Sequence, residues 1–440
     1  MTNQYFLLAI IIHIIPITYC FETISSAISH PRLLIVSLDG FRHDYLNTYS
    51  FQTLNRIQNQ GIKTTNGMQP TFVTMTFPNH ISIATGMYQQ DHGIIHNRFF
   101  DTRLQKLVTF DTQDEGQWSD PRVEPIWITA TKQNKKSAVI YWPASHNAFN
   151  GVRPFFYTTS YSDTISIREK IDSAISYFRK NRIQLAMLYH FEPDKQGHTY
   201  GPDSNETRDA LFRLDNDMNY LLNKVKTELN DDLNIIILSD HGMTNIVRVI
   251  QPFREGYINR SAVEDNILDG PIFSLTPRSG EFEQVFNGLR DIPGVTVYKR
   301  DEFPEEYHYA KAIYRLGEII VVPDNEGLYF SQSMMKIPAL KGNHGYDNKL
   351  PSMQAIFMAQ GPDFNQHIEI HSLKNVDIYH IACKILHLKP NPYATAGSLD
   401  NLTDIFRLRT NKCSQLFIDI LVLLLAWFFI FYHRNLNEIS

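Results

Sequence analysis

The chain has 440 residues and a formal net charge of −5 at neutral pH. This length can bury a large hydrophobic core and allows about three domains. The weakly acidic balance argues against a nucleic-acid polymer as a partner. The chain has three cysteines, which are too few for a disulfide-rich module.

The N-terminus is almost entirely apolar over residues 5–17, and Pro16 interrupts the run. A stretch of this length is too short to span a membrane and is typical of the core of a signal peptide. We therefore expect residues 1–20 to be a signal peptide. The four residues before the run contain no Lys or Arg, which departs from the usual pattern.

A second apolar segment covers residues 416–432, with Asp419 as its one charged residue. It predicts a transmembrane helix, and the polar residues 433–440 predict a cytoplasmic tail. The basic residues near this segment, taken alone, favour the opposite orientation. A cleaved signal peptide would nevertheless commit the chain to the lumen, so we expect a type I single-pass protein of the plasma membrane with its main domain extracellular.

Three glycosylation sequons, at Asn205, Asn259 and Asn401, lie between the two apolar segments. One such sequon is a common chance match. Their shared placement agrees with an extracellular, glycosylated domain.

The stretch 30–406 contains no linker, repeat or block of charge, so we predict that it forms one domain. Near-continuous runs of Val, Ile and Leu are typical of strands covered on both faces of a parallel sheet. Such runs lie at 33–38, 138–142, 185–189, 233–238 and 355–359. Helical periods lie between them, most clearly at 203–228, where Asp203 or Ser204 could cap the helix. The alternation predicts an α/β fold with a doubly wound, mostly parallel sheet and helices on both faces.

Acidic and imidazole side chains follow three of these predicted strands, and one more histidine precedes the fifth strand. They are Asp39, Asp194, His198, Asp240, His241 and His344. Because ligands of open α/β sheets bind outside the carboxyl ends of the strands, we expect these side chains to converge. A single Asp-Gly is usually a turn, and a single histidine is usually structural. Three aspartates and three histidines at one edge indicate a metal site.

Thr76 stands just before Phe77 and Pro78, and Pro78 fits the first turn of a helix. Its hydroxyl would lie where a helix N-terminus favours negative charge, although a threonine at this position is more often only a cap. Carboxylates and imidazoles suit zinc, and six such ligands exceed the needs of one ion. With the Thr76 oxygen they make seven ligands for two ions, the arrangement used in phosphoryl chemistry.

Four motifs occur in order along the chain: Thr-x-Thr-Phe-Pro-Asn-His, Glu-Pro-Asp-x-x-Gly-His, Ser-Asp-His-Gly-Met and Gly-Asn-His-Gly-Tyr-Asp-Asn. Together they resemble the ecto-nucleotide pyrophosphatase/phosphodiesterase family of the alkaline phosphatase superfamily, most of all its short membrane-anchored members. The resemblance implies an alkaline phosphatase-like fold and two Zn²⁺ ions per subunit. It implies one zinc site made of Asp194, His198 and His344. It implies a second made of Asp39, Asp240, His241 and the nucleophile Thr76.

The resemblance also implies how a nucleotide is bound. Asn97 matches the family asparagine that helps to hold a non-bridging phosphate oxygen. Phe77 matches one of two aromatic residues that stack on the nucleobase. The second is Tyr161 or Tyr157, because the chain carries one extra residue in this region. The alternative for these rings is ordinary core packing.

These residues predict a zinc-dependent phosphodiesterase that releases nucleoside 5′-monophosphates from extracellular nucleotides or dinucleotides through a threonyl-nucleotidyl intermediate. One alternative is a phospholipid- or choline-directed enzyme of the same family. Another is a monoesterase or sulfatase on the same fold, although the sulfatase motif Cys/Ser-x-Pro-x-Arg is absent. The last is a catalytically silent surface binding protein.

Overall fold

A sheet of eight strands forms the centre of the computed structural model, which describes residues 31–109, 120–337 and 341–407. In chain order the strands are β1 (Leu33–Leu38), β2 (Ile62–Thr64), β3 (Ser137–Ile140), β4 (Phe156–Tyr157), β5 (Leu185–His190), β6 (Asn234–Leu238), β7 (Phe357–Gln360) and β8 (Ile368–Ile370). Their order across the sheet is β8-β2-β7-β6-β1-β5-β3-β4. Both neighbours of β7 pair with it in antiparallel fashion, and the other pairs in this sheet are parallel.

The four apolar runs predicted to form parallel strands do so as β1, β3, β5 and β6. All residues of these four strands are buried, as expected for strands covered on both faces. The fifth predicted strand is present as β7 but runs in the opposite direction. The chain enters β7 from the edge where β6 ends, since Phe357 pairs with Leu238, and it must therefore run back across the sheet.

Helices cover both faces of the sheet. The α-helices of the described residues are α1 (Tyr45–Thr48), α2 (Thr53–Gln60), α3 (Thr76–Thr85), α4 (Gln89–His92), α5 (Ile126–Lys132), α6 (Ile167–Ser176), α7 (Asp194–Tyr200), α8 (Asn205–Leu229), α9 (Phe282–Arg290) and α10 (Asp377–Leu386). The core on one face includes side chains of α3, α5 and α10, and the core on the other includes those of α2, α6 and α8. Of the two predicted caps of α8, Ser204 caps it by accepting the Thr207 N–H at 3.2 Å.

A smaller layer lies between β6 and β7 in the sequence. It contains an antiparallel sheet of the strands Phe273–Leu275, Ile319–Pro323 and Val295–Lys299, which shares a separate hydrophobic cluster with α9. Further short strands pair outside the two sheets. They are Arg98–Asp101 with Lys106–Thr109, Met68–Gln69 with Leu373–Lys374, Thr244–Asn245 with Gly342–Asn343, and Arg248–Ile250 with Leu328–Phe330.

Residues Pro31–Phe406 form one compact unit. The predicted signal peptide at 1–20, the predicted membrane helix at 416–432 and the predicted tail at 433–440 lie outside the described residues. None of the helices in the described part of the chain has the length and apolar character needed to cross a membrane.

Candidate metal centre and active site

The carboxyl edge of the sheet brings the predicted ligands together. Asp39 follows β1, Asp194 begins α7 just after β5, and Asp240 follows β6. These three strands are neighbours and parallel, so their ends meet. Gly40 allows the closest approach. Its φ is 68°, and a Cβ added there would come within 2.8 Å of the Asp194 Cβ. A larger residue would therefore push two of the acids apart.

The first group of ligand atoms belongs to Asp39, Asp240 and His241, and all of these atoms lie within 4.8 Å of one another. His241 Nε2 lies 3.4 Å from Asp39 Oδ1 and 3.0 Å from Asp240 Oδ2. The same nitrogen lies 3.2 Å from Thr76 Oγ1. All four predicted members of this site therefore surround one point.

The second group is formed by Asp194, His344 and again His241, with ligand atoms within 4.8 Å. The rings of His241 and His344 stack with their centroids 3.5 Å apart. His198 lies beside this group, because its Nε2 is 3.4 Å from Asp194 Oδ2 and 3.1 Å from His344 Nε2. His241 thus lies between the two predicted metal positions, a feature that the sequence did not indicate.

The three histidines are oriented in the same way. Nδ1 of each ring lies against a backbone carbonyl: His198 on Gly342 at 2.9 Å, His241 on Gly242 at 2.9 Å, and His344 on Thr74 at 2.8 Å. A carbonyl oxygen only accepts, so each Nδ1 carries the proton and each Nε2 keeps its lone pair. This second hydrogen bond is the usual arrangement of a histidine that binds a metal.

The carboxylates have the chemistry of cation ligands. Asp39 Oδ1, Asp194 Oδ1 and Asp240 Oδ2 are buried and accept no hydrogen bond from the described residues. Burial and the carboxylates of Asp240 and Asp194 raise the pKa of Asp39 well above its ordinary value. Burial raises the pKa of Asp194 as well. Burial acts in the same direction on Asp240, but His241 and His80 outweigh it and hold that pKa below its ordinary value.

Three acids concentrated in a buried site need positive charge, and the carboxylate and imidazole donors fit zinc. The donor set present is therefore suited to the predicted pair of zinc ions.

Thr76 is the first residue of α3, and its preceding residue Met75 is extended. The N–H of Phe77 donates to Asn97 Oδ1 at 2.8 Å. Asn79 holds the loop before the helix in place, since its side-chain Nδ2 donates to the backbone carbonyls of Val73 and Met75 at 3.0 and 2.9 Å. The hydroxyl of Thr76 is therefore held at a helix N-terminus, where the backbone dipole favours negative charge.

A cavity opens beside Thr76, and its wall includes Phe77, Asn97, Trp142 and Tyr161. Tyr161 is 44% exposed, whereas Phe77 is only 1% exposed and belongs mainly to the core. Tyr157 lies on β4, outside the set of described residues that line this cavity, and its ring faces Arg153 at 5.7 Å. Of the two tyrosines left open by the sequence, Tyr161 is therefore the one beside the candidate site.

Two further residues contact the site and were missed from the sequence. His80 Nδ1 lies 2.7 Å from the Thr76 carbonyl oxygen and 3.4 Å from Asp240 Oδ2. The Tyr189 hydroxyl donates to Asp39 Oδ2 at 2.6 Å. His80 stands four residues after Thr76, on the same side of α3, which was an available signal. Tyr189 ends a predicted apolar strand, and nothing in the sequence pattern distinguishes it from the other residues of that strand.

Fold and site together define an α/β protein of alkaline phosphatase-like architecture. Its paired metal-ligand groups lie against a threonine hydroxyl at a helix N-terminus.

Comparison with known proteins identifies the family within this class. The family model for type I phosphodiesterase / nucleotide pyrophosphatase matches residues 33–347. Ectonucleotide pyrophosphatase/phosphodiesterase family member 7 of Mus musculus is 33% identical over 377 residues, which cover 82% of this chain and 84% of the relative. Bis(5′-adenosyl)-triphosphatase ENPP4 of Bos taurus is 35% identical over 381 residues, which cover 84% and 81% of the two chains.

A solved structure of murine ectonucleotide pyrophosphatase / phosphodiesterase 5, an inactive variant in complex with AMP, superposes with a TM-score of 0.80 at 33% identity. The match covers 86% of this chain and 100% of that one. The chain belongs to the ectonucleotide pyrophosphatase/phosphodiesterase family. The predicted family and the predicted alkaline phosphatase-like sheet are thereby confirmed.

Proposed function

We propose that the chain is a zinc-dependent phosphodiesterase and nucleotide pyrophosphatase that converts extracellular nucleotides or dinucleotides to nucleoside 5′-monophosphates. The observation that carries the proposal is the position of Thr76. Its Oγ1 lies 3.2 Å from His241 Nε2, and the residue also lines the aromatic cavity. The AMP bound to the murine relative and the bis(5′-adenosyl)-triphosphatase name of the bovine relative support a nucleotide substrate.

The proposed zinc sites use all seven predicted ligands. One is formed by Asp39, Asp240, His241 and Thr76. The other is formed by Asp194, His198 and His344. When bound, the two ions would neutralise phosphate charge and lower the pKa values of the threonine hydroxyl and of water.

The reaction proceeds in two displacements at phosphorus. Thr76 Oγ1 attacks the phosphorus and gives up its proton, the bond to the leaving group breaks, the leaving group departs with a proton, and a threonyl-nucleotidyl diester remains. Water then attacks the same phosphorus, the bond to Thr76 breaks, and one proton of that water returns to the threonine oxygen as the 5′-monophosphate leaves. Asn97 assists because its Oδ1 already accepts the Phe77 N–H, which leaves its NH₂ to donate to a non-bridging phosphate oxygen.

The base is proposed to lie against Tyr161 and the edge of Phe77 that borders the cavity. Stacking of a base on an aromatic side chain contributes about 1–3 kcal/mol. Tyr157 is the weaker candidate because it lies outside the cavity wall formed by the described residues.

The charge of the cavity favours a diester over a monoester. Among the described residues that line it, none is Lys or Arg. A phosphate monoester carries more negative charge on its terminal oxygens than a diester, and cationic side chains usually hold that charge. Their absence from the described wall therefore supports diester or pyrophosphate substrates.

The cellular setting is also a proposal. We infer a signal peptide at 1–20, a type I membrane span at 416–432, a cytoplasmic tail at 433–440 and an extracellular catalytic domain at the plasma membrane. The asparagines of the three sequons, Asn205, Asn259 and Asn401, are all exposed, which supports glycosylation of this domain.

The test compares two chromogenic substrates of the purified full-length protein loaded with zinc. We expect a nitrophenyl ester of thymidine 5′-monophosphate to be hydrolysed at least about tenfold faster than nitrophenyl phosphate, a difference of about 1.4 kcal/mol in the barrier. Faster hydrolysis of the monoester would contradict the proposal. A parallel panel of dinucleotides and choline phospholipids separates the nucleotide enzyme from its lipid-directed alternative.

A further inference from the structure

The two carboxylate oxygens of Asp39 have different surroundings. Oδ2 accepts a hydrogen bond of 2.6 Å from the Tyr189 hydroxyl. Oδ1 accepts none from the described residues and lies 3.4 Å from His241 Nε2. A carboxylate turns easily about its last bond, because this torsion has a broad and roughly two-fold profile. A hydrogen-bond donor on one oxygen therefore decides which oxygen faces the proposed zinc site.

Asp240 shows the same division between a held oxygen and an open one. Its Oδ1 accepts from the Gly40 N–H and from Ser239 Oγ, each at 3.2 Å, while its Oδ2 lies 3.0 Å from His241 Nε2. Two donors, one of them backbone, thus fix Asp240. Within the described residues, the donor to the Asp39 side chain is Tyr189.

Tyr189 is itself well fixed. It lies on the central strand β5, where its residue pairs with Ser37 of β1, and it is 7% exposed. Its ring meets the His80 ring edge-on at 5.0 Å. Its carbonyl oxygen accepts a hydrogen bond of 3.2 Å from the buried Lys170 ammonium group. The hydroxyl is therefore presented to Asp39 by the sheet and not by a mobile side chain.

We propose that Tyr189 is a positioning residue for one of the two zinc ions: its hydroxyl holds Asp39 Oδ2 so that Oδ1 faces the metal. The inference rests on the proposed function, because it takes Asp39 to be a zinc ligand. Hydrogen-bond partners of metal ligands tune metal affinity, and their removal typically costs 10–100-fold in affinity or activity.

The test is zinc binding by the Tyr189→Phe variant, which keeps the ring and removes only the hydroxyl. Metal-free full-length protein is titrated with zinc in competition with a chromophoric chelator. We expect one of the two zinc ions to bind about tenfold more weakly or worse, and the other to bind as in the wild type. Saturating zinc should restore most of the turnover, because the nucleophile and the ring remain in place.

A matched control is Tyr45→Phe. Tyr45 is also buried, and its hydroxyl donates to the Pro202 carbonyl at 3.0 Å. It tests the loss of a buried tyrosine hydroxyl that does not bond to a proposed zinc ligand, and we expect it to bind both ions normally.

Wild-type affinity for both ions in Tyr189→Phe would overturn the inference and leave the proposed function intact. An equal loss of affinity for both zinc ions would also overturn the inference, and so would turnover that excess zinc does not restore. Either result would indicate that the substitution destabilises the fold in general. If the wild-type protein itself bound no zinc, the proposed function would fail, which is a distinct result.

Discussion

The metal-ligand centre and the aromatic cavity are adjacent but built in contrasting ways. Asp240 and His241 are fully buried at the end of the central strand β6, whereas Tyr161 is 44% exposed on the irregular segment between β4 and α6. The stretch between β3 and β4 also lines the cavity and is irregular as well, with positive φ at Tyr141 and Ala144. The edge of the central sheet thus supports the proposed metal ligands, while loops supply part of the cavity wall. Under the proposed function, the fold would set the chemistry and the loops would set the substrate preference.

Removal of metal should have the largest effect on activity, because it acts directly on the metal-ligand centre. Dialysis of the full-length protein against a strong chelator is expected to reduce diester hydrolysis to background, and added Zn²⁺ should restore it. The physical reason is that the clustered carboxylates, of which Asp39 and Asp240 are buried, lose the cations that balance them, and this loss should also lower the thermal midpoint. Unchanged turnover after complete metal removal, confirmed by elemental analysis, would refute the two-ion assignment.

Substitutions in the cavity should have a smaller effect that depends on the substrate. Tyr161→Ala is expected to lower kcat/KM for a nucleotide diester by about tenfold, because stacking of a base on one aromatic side chain is worth about 1–3 kcal/mol. Hydrolysis of a small diester without a base, such as methyl nitrophenyl phosphate, should change little.

Tyr157→Ala is the matched control, since Tyr157 is similarly exposed at 37% but lies outside the described cavity wall. Equal losses in the two variants, or equal losses on both substrates, would show that Tyr161 does not stack on a base.

The same contrast separates the features of the site that could be predicted from the sequence from those that could not. Asp39, Asp194 and Asp240 each follow a strand whose apolar run is plain, and parallel neighbours must end at one edge. Their convergence with the histidines was therefore predictable. The choice between Tyr161 and Tyr157 was not, because the path of an irregular loop is not encoded in periodicity.

Other features depend on contacts between distant segments. The antiparallel direction of β7 follows from the edge at which the chain enters the sheet, which no local pattern records. The hydrogen bond from Tyr189 to Asp39 joins residues 150 positions apart. Neither feature could be inferred from the sequence pattern of a single strand. The signal peptide, the membrane span and the glycans remain predictions.

The most direct test of the central claim is the Thr76→Ala variant, assayed for turnover and zinc content together. Diester hydrolysis should fall by at least about three orders of magnitude, because the attacking oxygen is removed. About two zinc ions per chain should be retained, since six of the seven proposed ligands remain. Wild-type turnover in this variant would show that the threonine hydroxyl is not the nucleophile.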